Sequence, residues 1–207
     1  MNSEEHPELQ SVLEKIEEFR SQGLYEKSNE LLQKLIVEYP QYFVPYEMLA
    51  DNYLSMRQFS RCSKAINQAI KLAPKSSNAH YLKGFLFSLK NNWGEAIDSF
   101  LTADELSSNH PEILRCLGWA YFNAGEIDRG VAILTRANIL LPDDVGILCD
   151  LGVCHMNLEN FSEAEKLFQR ASLIDPQSEQ VIECLAMLQS CTSSFSDIST
   201  SKNRRKK

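Results

Sequence analysis

Cysteine and histidine are the residues of this chain whose side chains could bind a metal ion or act as nucleophiles. The 207 residues include six cysteines and four histidines. A zinc site needs about four ligands brought together, often with a Cys-x-x-Cys pair. No such pair occurs, and only Cys154 and His155 are close in sequence. We therefore predict no metal site, and we expect reduced thiols, as in a cytoplasmic protein.

Other arrangements that could catalyse a reaction do not stand out either. The eight glycines stand singly at helix contacts and turns, without the spacing of a phosphate-binding loop. No Ser/His/Asp or Cys/His set is suggested by the positions of those residues. The sequence therefore predicts a protein that is not an enzyme, with no catalytic residues, no cofactor and no small-molecule substrate.

The elements that carry these residues repeat every 34 positions. The stretch from Pro111 to Pro142 reads as two short amphipathic helices, with apolar residues at three- and four-residue spacing on both sides of Gly125. Five columns of similar residues follow this step through the chain. One column is Tyr25, Phe59, Trp93, Ile127 and Phe161. Another, small after its first member, is Ile16, Ala50, Gly84, Gly118 and Gly152. Columns in register over five copies predict a helix-turn-helix repeat.

The order of residues within each copy resembles the tetratricopeptide repeat. In one copy the matching residues are Leu117, Gly118, Tyr121, Ala137 and Pro142. In the next they are Leu151, Gly152, Ala164, Phe168, Ala171 and Pro176. The resemblance implies an all-α fold, a right-handed α-solenoid of five 34-residue repeats with a C-terminal capping helix. The repeats are expected at residues 9–42, 43–76, 77–110, 111–144 and 145–178, with the capping helix at 178–190.

The two ends of the chain differ from the repeats. Residues 1–8 are a short N-terminal lead, and residues 191–207 are a Ser- and Thr-rich tail that we predict to be disordered. From Thr192 the tail has five basic residues and one acidic residue, so its charge of +4 leaves −11 for the rest of a chain with net charge −7. An acidic body argues against nucleic acid as the main partner. The tail could be solvated, contact an acidic surface, or act as a nuclear-import-like cluster.

Targeting and membrane segments are not predicted. No apolar run approaches the roughly 20 residues that a membrane-spanning helix needs. The first ten residues, MNSEEHPELQ, have neither the basic flank nor the apolar core of a signal peptide. We therefore expect no membrane span and a cytoplasmic location.

The resemblance also implies where a partner would bind. In the family, the first helix of each repeat lines the concave side of the solenoid. On that side the third and fourth repeats would present Tyr81, Leu82, Phe85, Leu89, Trp119 and Phe122, with the cation Arg115 near the edge. Aromatic anchors tend to dominate interface energies, so we predict a groove for a peptide or helix of a partner protein. Alternatively, several of these residues pack against the next repeat.

Three functions are open at this point. The first is a non-enzymatic adaptor or scaffold that binds a partner in the groove. The second is a chaperone, because the segment from Leu151 to Phe168 is similar to the tetratricopeptide chaperones of bacterial type III secretion, which hold apolar translocator segments. The third is a structural subunit that forms a homodimer through the N-terminal repeat, where Phe43 and Tyr46 make the first junction apolar.

Overall fold

The structure is a computed structural model that describes the backbone of residues 7–204 and the side chains of residues 9–192. Within this part of the chain there are eleven α-helices and no strands, which confirms the predicted all-α helical-repeat solenoid. The rest of the predicted lead and tail, residues 1–6 and 205–207, lies outside the described backbone. Among the described residues, no helix combines the length and the apolar character needed to cross a membrane.

The helices follow one another in hairpins. They are α1 (Pro7–Ser21), α2 (Tyr25–Glu38), α3 (Val44–Ser55), α4 (Phe59–Leu72), α5 (Ser77–Ser88), α6 (Trp93–Leu106), α7 (Pro111–Asn123), α8 (Ile127–Leu140), α9 (Val145–Asn157), α10 (Phe161–Ile174) and α11 (Glu179–Arg204). The chain forms two compact units, residues 1–108 and residues 109–207. In the first unit α1 packs on α2, α3 on α4, and α5 on α6. In the second unit α7 packs on α8, α9 on α10, and α11 on both α9 and α10.

The turn between the two helices of each hairpin has the same backbone conformation throughout. Its central residue has a φ between 56° and 84° and is Gly23, Arg57, Asn91, Gly125 or Glu159. The N–H of the next residue donates to the carbonyl five positions earlier, as from Glu126 to Tyr121 at 2.9 Å. This is the Schellman arrangement that closes many helix ends. A glycine adopts it without strain, whereas a residue with a Cβ atom pays about 1–2 kcal/mol.

Relief of this strain predicts a stabilising substitution. Glu159→Gly is expected to raise the free energy of unfolding by about 0.5–1 kcal/mol, because the lost strain exceeds the extra backbone entropy of glycine in the unfolded chain. Gly125→Ala, at the same place in the preceding hairpin, should lower it by about 1 kcal/mol. Urea denaturation of the two variants measures both changes. A loss of stability in Glu159→Gly would contradict the strained positive-φ conformation of residue 159.

Inside the hairpins, a small residue on the first helix faces a large residue on the second. The glycines Gly84, Gly118 and Gly152 face Phe100, Leu134 and Phe168, and all six are buried. A Cβ atom at Gly84 would lie 2.7 Å from the ring of Phe100, and one at Gly152 would overlap the ring of Phe168. The absence of a side chain at Gly152 thus allows α9 and α10 to approach closely.

The C-terminal helix is longer than predicted. The capping helix was expected to end at residue 190 and a disordered tail to begin at 191, but the helical backbone of α11 continues to Arg204. The chain contains neither proline nor glycine after Pro176, so no residue type that breaks a helix is present. The hydroxyl of Thr192 also donates to the carbonyl of Leu188, at 3.0 Å, within the extended part of the helix.

Candidate functional site

In the first unit, three of the predicted groove residues lie together on α5. The rings of Tyr81 and Phe85, one turn apart, stack with centroids 6.2 Å apart and an interplanar angle of 28°. Tyr81 also contacts the ring of Phe100 on α6, at 6.0 Å. Both stacked rings are partly exposed, and Leu89 at the end of the helix is 43% exposed. We call Tyr81, Phe85 and Leu89 the α5 surface.

Leu82 on the same helix is buried. Its side chain is 3% exposed and belongs to the hydrophobic core of the first unit, with Leu54 and Leu86. Leu82, which the sequence analysis placed in the groove, is thus buried in the core in this structure. Its column, which also contains Met48 and Cys116, is buried where the structure describes it, so this column contributes to the core.

In the second unit, Trp119 and Phe122 form an aromatic pair on α7. Their rings stack with centroids 5.1 Å apart and an interplanar angle of 24°. Both residues are partly exposed, and Phe122 also packs against the hydrophobic core of the unit. The pair combines a fixed geometry with open ring area, which suits contact with an apolar side chain of another protein. We call Trp119 and Phe122 the α7 surface.

The side chain of Arg115 forms hydrogen bonds and ion pairs within the second unit. Its Nε and Nη2 donate to the two carboxylate oxygens of Glu112, at 2.9 and 2.8 Å. Its Nη1 donates to Oδ2 of Asp150 on α9, at 3.0 Å. The hydrogen bonds that Arg115 donates to Glu112, together with the charge of Asp150, hold the pKa of the guanidinium above its ordinary value. The cation predicted for partner contact is thus neutralised by two carboxylates, and it joins α7 to α9.

Asp150 is a buried carboxylate that the sequence interpretation missed as a partner of Arg115. Its side chain is 8% exposed. Burial raises its pKa from 3.8 to about 6, although the neighbouring guanidinium favours the ionised form. The sequence did contain a sign of this ion pair, because Asp150 follows Met48, Leu82 and Cys116 at the 34-residue step. A charged residue in an otherwise apolar, buried column indicates a buried ion pair.

Comparison with protein-family models identifies the repeat. Two models described as tetratricopeptide repeat match residues 47–111 and residues 128–188, which together make up more than half of the chain. The chain belongs to the tetratricopeptide repeat family. The family's motif residues, such as Gly118 and Ala137, are buried here. Membership therefore accounts for the packing of the helices and leaves recognition to residues outside the motif.

Related tetratricopeptide repeat proteins include much longer chains. The sequence is 25% identical over 131 residues to anaphase-promoting complex subunit 3 of Schizosaccharomyces pombe, which is 63% of this chain and 20% of that subunit. The chain spans 9% to 33% of the lengths of the relatives that it matches in sequence.

Solved structures share the fold. A chain of the APC/C hetero-tetramer Cut9–Hcn1 matches with a TM-score of 0.79 and 14% identity, over 84% of this chain and 35% of that chain. YrrB, a tetratricopeptide repeat protein with an unusual peptide-binding site, matches with a TM-score of 0.64 and 15% identity, over 84% of this chain and 90% of that chain. At these identities the similarity concerns the fold alone.

The first tetratricopeptide repeat contributes a polar cluster that the sequence interpretation also missed. Nε of Arg20 on α1 donates to Oδ1 of Asn52 on α3, at 3.0 Å, and the guanidinium pairs with Asp51. Asn52 is fully buried, and its amide donates to Ser28 and Asn29 on α2, at 2.9 Å each. These bonds connect α1, α2 and α3. No sequence spacing identifies them, because the residues come from three helices.

The cysteines Cys62, Cys149 and Cys154 are part of the hydrophobic cores. All six cysteines of the chain are free, and five of them are buried. Burial raises the pKa of Cys62 and of Cys154 to about 12. A hydrogen bond to Cys184 and burial raise the pKa of Cys149 as well. Thiols with raised pKa values are poor nucleophiles at neutral pH, so these residues act as small apolar groups in the core.

Proposed function

We propose that this tetratricopeptide repeat protein is a non-enzymatic adaptor that binds peptides or helices of partner proteins at two aromatic surfaces, the α5 surface of the first unit and the α7 surface of the second unit. The observation that carries the proposal is the stacked pair of Trp119 and Phe122, which stays partly exposed although the neighbouring Arg115 is engaged inside the unit. Family membership supports a protein-interaction role, and the partly exposed aromatic rings support the α5 and α7 surfaces as its location.

The chemistry of the two surfaces favours an apolar segment as the ligand. The α5 surface offers two rings and a leucine, and the α7 surface offers an indole and a phenyl ring. Large aromatic groups of this kind contribute most of the energy in many interfaces. The net charge of −7 favours a protein over a nucleic acid as the partner. The six free cysteines support a reducing compartment such as the cytoplasm.

Replacing one ring on each surface tests the proposal. The double variant Phe85→Ala, Trp119→Ala is expected to retain less than a tenth of the partner that the wild-type chain captures from a native cell lysate, since two anchor residues contribute roughly 2 kcal/mol each. Quantitative mass spectrometry of the captured proteins measures the loss. Circular dichroism and thermal unfolding establish that the double variant is folded.

The matched control removes exposed apolar residues elsewhere. Val37 and Ile139, one in each unit, are 83% and 75% exposed and lie on second helices. The double variant Val37→Ala, Ile139→Ala should capture the partner as the wild-type chain does. Equal capture by both double variants would rule out the aromatic surfaces. A wild-type chain that captures only further copies of itself would favour the self-associating subunit.

A further inference from the structure

The last helix, α11, occupies the place of the first helix of a sixth repeat. The 34-residue step puts Ile182 in the column of Leu114 and Leu148, and it puts Ala186 in the column of Gly118 and Gly152. In the fourth and fifth repeats these positions are buried beneath the second helix of the same repeat. Leu114 and Leu148 are both 0% exposed. After α11 the described chain has no second helix.

One side of α11 is therefore uncovered. Val181, Cys184 and Leu188 are buried in the hydrophobic core of the second unit, which accounts for the inner side of the helix. On the outer side Ile182 is 54% exposed, and Ala186 is also exposed. The helical backbone runs on to Arg204 without a turn, so the described chain does not fold back over this side. We call Ile182 and Ala186 the α11 face.

The opposite end of the repeat array is finished differently. The exposed residues of α1 between residues 9 and 21 are polar or charged, and they are Gln10, Ser11, Glu14, Lys15, Glu17, Glu18 and Ser21. Polar outer faces are what terminal repeats need in order to remain in water without a neighbour. The α11 face instead presents aliphatic side chains in the register that a second helix would cover.

We propose that the α11 face binds an amphipathic α-helix of a partner protein in the position of the second helix of a sixth repeat. The fold specifies the chemistry of that helix. At the position of Ala186, the fifth repeat has a glycine that faces Phe168 and the fourth repeat has a glycine that faces Leu134. We therefore expect a large apolar residue of the partner helix to lie opposite the small Ala186. Glu179 and Glu183 are exposed beside the face, which favours basic residues along one edge of the incoming helix.

The probe is a helix with the sequence of α10, residues 161–174, which is the second helix that covers α9. Because an isolated helix of this length is marginal in water, the peptide is stapled on its solvent side and labelled with fluorescein. We expect saturable binding to the full chain by fluorescence anisotropy. The variant Ile182→Asp should weaken this binding at least tenfold, since it puts a charge into the apolar contact.

Three controls make the result specific. Gln180→Asp adds the same charge to an exposed position on α11, about 160° around the helix from Ile182, and should leave peptide binding unchanged. A peptide with alanine in place of Phe168 should bind at least tenfold more weakly. The variant Phe85→Ala, Trp119→Ala should bind the peptide normally, so that failure of this proposal and failure of the proposed function are distinguishable.

Three outcomes would overturn the proposal. The first is no saturable binding up to about 1 mM peptide, the range of the weakest specific complexes. The second is equal binding by Ile182→Asp and the wild-type chain. The third is a wild-type dimer in sedimentation that Ile182→Asp converts to a monomer, because the α11 face would then be covered by a second copy of this chain.

Discussion

Arg115→Met is expected to destabilise the second unit by roughly 3 kcal/mol at pH 8, because it leaves the buried carboxylate of Asp150 without its counter-charge. The Glu112 carboxylate and Asp144 add to the unfavourable potential, since both raise the pKa of Asp150. Methionine keeps most of the packing of the arginine stem, so the loss reports the ion pair more than the volume.

The loss should depend on pH in a defined direction. The pKa of Asp150 in the folded chain, about 6, lies above its ordinary value of 3.8. Its contribution to stability is therefore fully present below about pH 4 and is lost as the pH rises through 6. Without Arg115 the folded pKa rises further, so the deficit of Arg115→Met should appear above pH 6 and shrink below it. The double variant Arg115→Met, Asp150→Asn should recover most of the stability at pH 8.

Urea denaturation followed by tryptophan fluorescence can isolate this unit. Trp93 lies in the first unit and Trp119 in the second, so all variants are made in a Trp93→Phe background with Trp119 as the reporter. The control is Arg129→Met, which removes an exposed arginine paired with Glu126 in the same unit. It should change stability by less than about 1 kcal/mol. Equal effects of the two arginine variants would show that the Arg115 cluster is not a buried ion pair.

Phe168→Ala is expected to have a similarly large effect, roughly 3–5 kcal/mol. The Phe168 side chain is fully buried between α9 and α10. Alanine would leave a cavity there, because the two rigid helices cannot move together enough to fill it. The reverse change on the other side of the contact, Gly152→Ala, should lower stability by about 1–3 kcal/mol through overlap with the same ring. Chemical denaturation reported by Trp119 measures both.

Combining changes tests whether the two residues act as a pair. Gly152→Ala with Phe168→Leu should be less destabilising than the sum of the single changes, because the smaller side chain makes room for the new methyl group. Gly94→Ala in α6 is the control for a glycine without such overlap, since no atom lies within 4 Å of the position its Cβ would take. Because Gly94 lies in the first unit, this variant keeps Trp93 as its reporter. It should be neutral or slightly stabilising. If the stability changes at residues 152 and 168 were strictly additive, the two side chains would not be matched in size to each other.

The sequence carried much of the fold, because packing constraints recur every 34 residues. Gly152 and Phe168 are readable as a column of small residues and a column of large ones, and both sit where close helix contact requires them. The direction of each side chain was harder to predict. Leu82 and Phe85 are on the same helix and are both apolar, yet one is buried and the other is partly exposed. The columns alone did not separate those two cases.

The ion pairs between helices could not be predicted from the sequence either. Asp150 is 35 positions from Arg115 and becomes adjacent to it only when α7 packs on α9. The cluster of Arg20 and Asn52 is hidden for the same reason. The length of α11 did not follow from composition, because the Ser- and Thr-rich segment after residue 190 contains no helix-breaking residue and its backbone is helical to Arg204.

The glycine and the large side chain that faces it always belong to one hairpin, as with Gly118 and Leu134 or Gly152 and Phe168. Genetic recombination between hairpins therefore moves both members together and preserves their fit. Recombination inside a turn, by contrast, would combine first and second helices of different origin and could place Phe168 against Ala50. Duplication of whole hairpins is thus the route by which such a chain can lengthen without repacking its interior, and chimaeric proteins should be joined between hairpins.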